Sequence, residues 1–178
     1  MRRHGMYALD FCSPALVEGA LTYVHGQRYA GQVVALCFVP YAGLLLPDVI
    51  ERCAARFEEV ESALLLVVSG ARPLHRMWLE DARQPRTPVL ADPCGRLHRS
   101  FGVAIQEPLQ RCRTFVIDRL GILRLRVSHD FLEHDLSLVG ELIKSSQQPA
   151  GSSDIGEGDR GSLEYSACVA PGRCGRAA

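Results

Sequence analysis

Residues 31–69 read GQVVALCFVPYAGLLLPDVIERCAARFEEVESALLLVVS, and this stretch decides the fold. It opens with an apolar run, Val33 to Val39, and closes with another, Ala63 to Val68. Each falls far short of the roughly 20 residues that a membrane span needs, so both predict buried strands. Between them Pro47 stands where proline favours the first turn of a helix, and Val49, Ile50, Cys53 and Phe57 recur at helical spacing on one face. The order strand, helix, strand places a β-α-β unit at the heart of the chain.

Working outward, residues 1–30 carry short apolar pieces, Met6 to Leu9 and Leu21 to Val24, broken by Pro14, Gly19 and Gly26, which predicts a hairpin-like lead-in. On the other side, RPLHRMWLEDAR (72–83) has Leu74, Met77 and Trp78 at helical spacing, and Pro88 to Ala91 predicts a short strand. Asp92-Pro93 then supplies an N-cap and a first-turn proline for a short helix that buries Leu97 and Phe101. TFVID (114–118), the turn RLG and ILRLRVSH (122–129) predict an antiparallel hairpin, and Phe131 to Ile143 a closing helix. The domain is expected to span 1–147. Residues 148–178, rich in Gly and Ser and poor in large apolar side chains, are expected to form a flexible tail.

Composition narrows the function. The 178 residues are 47% hydrophobic and carry 20 basic and 20 acidic side chains, so the net charge is zero. No electrostatic footprint for nucleic acid or an anionic membrane results, and neither is expected as a partner. Lys144 is the only lysine, and the arginines are scattered. The start, MRRHGMYALDF, has no apolar core of a secretory signal, which places the chain in the cytoplasm by expectation. Seven irregularly spaced cysteines do not make a closed disulfide framework, and no CxxC pair occurs. Cys37, inside an apolar strand, reads as a small hydrophobe. Gly156 to Gly161 forms a formal GxGxxG without the strand and helix that a dinucleotide site requires, so no cofactor is expected. His129, Asp130, Glu133, His134 and Asp135 are metal-competent, but they sit at a strand end and helix start where acidic side chains serve as solvated caps.

The strings DFCSPAL, YAGQVVALCFVP, SGARPLHRMW, TPVLADPCGRLHRSFGV and TFVIDRLGILRLRV follow one another over about residues 8–147, and together they resemble the peroxiredoxins, the alkyl hydroperoxide reductase/thiol-specific antioxidant family. His75 with Trp78, and the ADPxG segment, are the most distinctive parts. The resemblance implies an α/β, thioredoxin-like fold of peroxiredoxin type, a central mixed sheet flanked by helices. It also implies thiol-dependent peroxide reduction and redox homeostasis.

The departure from the family falls at the chemistry. Members carry Pro-x-x-x-Thr-x-x-Cys-Pro in the loop entering the first long helix, where the helix terminus, the Thr hydroxyl and an arginine stabilise a peroxide-attacking thiolate. Here the loop runs from Pro40 to Pro47, one residue shorter. Aligned on Pro47, Leu46 takes the nucleophile position and Gly43 the threonine position; aligned on Pro40, Pro47 and Leu44 take them. Both reactive groups are missing in either register. The family's arginine position falls on Cys112, flanked by Arg111 and Arg113. That flanking makes Cys112 the candidate for a displaced reactive thiol. Cys94 is a weaker candidate, Cys53 reads as a core residue, and Cys168 in SACVAPG loosely matches a resolving cysteine. The expected function is therefore a degenerate, non-catalytic module that forms a homodimer or binds a protein partner. The alternative is a thiol-dependent oxidoreductase working through Cys112.

Overall fold

Val33 to Val39 is buried along its whole length near the middle of a mixed sheet in the computed structural model of the chain. The structure describes residues 8–40, 45–70, 86–104, 111–130, 133–147 and 164–167. The strands are β1 (Cys12–Val17), β2 (Ala20–His25), β3 (Val33–Val39), β4 (Ser62–Ser69), β5 (Val89–Asp92), β6 (Cys112–Ile117), β7 (Leu123–His129) and β8 (Glu164–Ala167), in the spatial order β2-β1-β5-β4-β3-β6-β7-β8. β3 pairs parallel with β4 and β4 with β5, while the other neighbours run antiparallel. The helices are α1 (Pro47–Glu59), α2 (Arg96–Ser100) and α3 (Glu133–Gln147). This is the α/β, thioredoxin-like architecture that the resemblance implied. The helix expected over 72–83 lies outside the described residues.

Both faces of β3 are covered, which is why its sequence is apolar without alternation. Ala35, Cys37 and Val39 face Ile50, Cys53 and Phe57 of α1 and Leu136, Val139 and Ile143 of α3. Val34, Leu36 and Phe38 face Leu9, Leu90, Leu97 and Phe115 on the other side. There Phe38 meets His98 and Phe115 edge to face, at centroid distances of 4.9 and 5.5 Å.

Three local expectations are corrected. The lead-in is a hairpin, but its strands are 12–17 and 20–25, with Glu18 and Gly19 both at positive φ as a two-residue turn of matching twist requires. The short strand runs one residue later than expected, Val89–Asp92, and the helix after it starts at Arg96 rather than at Pro93. Asp92 still caps that helix, but from the end of β5: its carboxylate accepts the N–H groups of Arg96 (2.8 Å) and His98 (2.9 Å). Finally, the tail is not wholly without structure, because Glu164–Ala167 adds a strand to the edge of β7 in the register Leu125↔Ala167 to Ser128↔Glu164. Free N–H and C=O groups along an edge strand are what recruits such a segment.

Candidate thiol site

The loop leaving β3 delivers the chain to the N-terminus of α1. Pro40 is half-buried, Leu45 is buried, and Pro47 occupies the first turn of the helix. Leu46 is the N-cap residue, with extended backbone, a side chain 59% exposed and no capping hydrogen bond from that side chain. Its carbonyl accepts the Ile50 N–H at 3.0 Å. A branched hydrocarbon thus stands where the helix terminus would favour an anion. Gly43 and Leu44 lie outside the described residues.

Behind α1, the sheet register assembles a polar cluster inside the apolar core. Cys37 on β3 stands opposite Thr114 on β6, and Cys112 on β6 stands opposite His129 on β7. Cys112 and Thr114 are two residues apart, so they share the face that carries Cys37. All four side chains are fully buried. Thr114 Oγ1 lies 2.7 Å from His129 Nε2, and His129 Nδ1 donates to the Asp130 carbonyl at 2.7 Å. A hydrogen bond from Cys112 lowers the Cys37 pKa from its ordinary value; burial opposes this, and His129 and Thr114 add to it. The same thiol–thiol contact drives the Cys112 pKa up, aided by burial and by the charges of Asp130 and Asp135. Burial alone would lower the His129 pKa, yet the hydrogen bond and charge of Cys37 raise it.

This geometry changes the standing of Cys112. The expectation of an arginine-activated thiol is not met: Arg113 stands opposite Phe38 on the other face of the sheet, and Arg111 pairs with Asp130 at 3.4 Å. Alternation along β6 turns the Arg113 side chain away from the cysteine it follows. Cys37, read from sequence as a small hydrophobe, instead holds the more acidic thiol. His129, grouped with neighbouring acids in the sequence, points inward while Asp130 is exposed. Among the described residues no three His, Cys, Asp or Glu side chains are grouped to hold a metal ion. Period-two placement of Cys112 and Thr114 was the available signal for a shared face; their meeting with Cys37 and His129 depends on register.

Of the remaining candidates, Cys53 is buried in α1 and Cys94 is exposed ahead of α2, outside the helix expected to hold it. Cys168 lies outside the described residues. Also among them, no helix is long and apolar enough to cross a membrane.

Comparison with known proteins agrees with the fold. Thioredoxin peroxidase of Echinococcus granulosus is 30% identical over 131 residues, covering 67% of this chain and 68% of that protein. Peroxiredoxin TSA1 of Saccharomyces cerevisiae is 30% identical over 128 residues, covering 66% of this chain and 65% of its own length. The matched region thus spans about two thirds of the curated relatives. Among solved structures, Enterococcus faecalis AhpC superposes with a TM-score of 0.64 at 20% identity, over 78% of this chain and 88% of that one. Mycobacterium tuberculosis AhpC gives 0.63 at 16% identity, over 79% and 92%. No protein-family model matches the chain.

Proposed function

The chain belongs to the peroxiredoxin family, and from that premise we propose that it is a member without the peroxide-reducing centre, acting as a non-catalytic binding or dimerising module. One observation carries the reading: Leu46, the N-cap of α1, holds the nucleophile position in the register aligned on Pro47. A leucine supplies neither a thiolate nor a sulfenic acid intermediate. Two further features support it. The position of the family's arginine is taken by Cys112, whose thiol is buried and held protonated, so no positive charge comes from there. Among the described residues β2 is the edge strand on the far side of the sheet and leaves Leu21 and Tyr23 50% and 64% exposed, a surface suited to a second chain.

The test is peroxide consumption by the purified protein with a thiol reductant. The expected second-order rate is that of an ordinary protein thiol; a rate about three orders of magnitude higher overturns the proposal. Leu46→Cys is expected to recover little, because Gly43 provides no hydroxyl and Cys112 no guanidinium. Sedimentation of Tyr23→Lys against the unaltered protein tests the dimerising surface, with dissociation expected. A second reading, an oxidoreductase with a displaced thiol, draws support from the meeting of Cys37, Cys112, Thr114 and His129 behind α1. It predicts that Cys37→Ser removes peroxide consumption well above the free-thiol level, and an unchanged rate rejects it.

A further inference from the structure

A separate thiol stands on the hairpin edge of the sheet. Cys12 and His25 face each other in the β1–β2 register, with Cys12 Sγ 3.7 Å from His25 Nε2, within the reach of a sulfur hydrogen bond. Both are exposed, and both line a cleft of about 1050 Å³ between the hairpin and α2. Among the described residues, Arg28 and Arg96 line the same cleft, with Asp10 as the one carboxylate and Phe101 as apolar wall. Two guanidiniums against one carboxylate give these lining residues a net positive charge. Among the described residues neither arginine forms an ion pair.

We propose that Cys12 is a thiol–disulfide exchange site for small anionic disulfides, with His25 as proton acceptor and Arg28 and Arg96 as the anion-binding groups. The occupant follows from the pieces. A cleft of this volume holds a molecule of many atoms rather than a peroxide alone. The arginines select carboxylates, which guanidinium groups bind in paired geometry. The nucleophile reacts with an electrophilic sulfur and needs its proton removed as it does so. In the step, Cys12 Sγ attacks one sulfur of the disulfide while its proton passes to His25 Nε2. The S–S bond breaks, the departing half leaves as a thiolate, and His25 returns the proton to it. The products are a mixed disulfide on Cys12 and one free small thiol. One disulfide is exchanged for another, so no outside oxidant is required, and a reducing thiol reverses the step.

The chain contains its own control. Cys94 is also exposed, and the described structure gives it no histidine partner. The full-length protein is incubated at neutral pH with glutathione disulfide, with neutral hydroxyethyl disulfide and with cationic cystamine, and adducts on Cys12 and Cys94 are timed by peptide mass spectrometry. Cys12 is expected to take the glutathionyl group about tenfold faster than Cys94, and His25→Ala to slow Cys12 with all three reagents by a similar factor. Arg28→Ala and Arg96→Ala are expected to slow the glutathione reaction alone, by about threefold to tenfold, with the preference fading in high salt. The Cys94 rate reports in each variant whether the fold and the reagent are intact. Equal rates at Cys12 and Cys94, or no effect of His25→Ala, overturn the site. Equal rates with the three disulfides overturn the anionic class. None of these outcomes depends on whether the protein reduces peroxide.

Discussion

Asp92 is 5% exposed, with the backbone N–H groups of Arg96 and His98 and the His98 imidazole (2.7 Å) all directed at its carboxylate. Burial alone would raise its pKa, but hydrogen bonds from the His98 N–H, the His98 imidazole and the Leu97 N–H, with the charge of His98, outweigh burial and lower it. A lowered carboxylate pKa contributes stability above the unfolded value of about 3.9, and that stability is lost as pH falls through the folded value. Asp92→Ala is expected to cost on the order of 3 kcal/mol in urea unfolding, because buried donors at the start of α2 lose their acceptor. Asp92→Asn is expected to flatten the acid limb of stability below about pH 4, measured by the same unfolding series across pH. The cysteines give a second prediction at this scale. Cys12 and Cys94 are expected to label with iodoacetamide in the native protein, whereas Cys112 labels only once the protein unfolds, as burial and its raised pKa both require. Native labelling of Cys112 below pH 7, read by peptide mass spectrometry, would contradict the structure.

The start of α1 is poorly capped for a helix of thirteen residues. The Leu46 side chain offers no acceptor to the first N–H groups, and it stands mostly in solvent. Leu46→Ser or Leu46→Asp is therefore expected to raise stability by about 0.5–1 kcal/mol, read as a shift in the urea midpoint without a change in slope. A loss of stability would mean that the leucine makes contacts absent from this geometry. The β6–β7 turn is, by contrast, well secured. Asp118 Oδ1 accepts the N–H groups of Leu120 and Ile122 at 2.9 Å each, and its other oxygen accepts from Arg124 at 2.6 Å. The sequence D-R-L-G carries that turn legibly, since Asp is a residue that folds onto the backbone two positions on and Gly121 takes the positive φ.

For the whole molecule, the two edge strands of the described sheet matter most. β2 closes one side, and at the other β8 covers β7 with residues far along the chain. Deleting residues 148–178 is expected to leave a cooperatively folding core, because Ile155, Leu163, Tyr165 and Val169 are the segment's large apolar side chains, too few to contribute a substantial share of buried area. It also removes the strand paired with β7 and leaves that strand's backbone groups open, so the truncated protein is expected to self-associate more strongly as concentration rises. Scanning calorimetry and light scattering at several concentrations check both parts. A truncated protein that no longer unfolds cooperatively would show that the tail belongs to the core.

The sequence by itself determined the β-α-β centre, the hairpin after residue 111, the closing helix and the absence of a thiol at the start of α1. These features are local: apolar runs, helical spacing, turn residues and the identity of Leu46 are all read within a few neighbouring positions. Tertiary structure alone decided which cysteine meets which partner. Arg111 and Arg113 adjoin Cys112 in the chain, yet strand alternation and the β3–β6–β7 register give it Cys37 and His129 instead. Cys12 and His25 lie 13 residues apart and meet only through the register of a hairpin whose turn, Glu18-Gly19, carries a residue unfavourable at positive φ. A one-residue slip in either pairing would move the sulfur to the opposite face. Sequence neighbours do not encode register directly; it is fixed by burial on both faces of the sheet, and that is why the chemistry of these thiols became legible only in three dimensions.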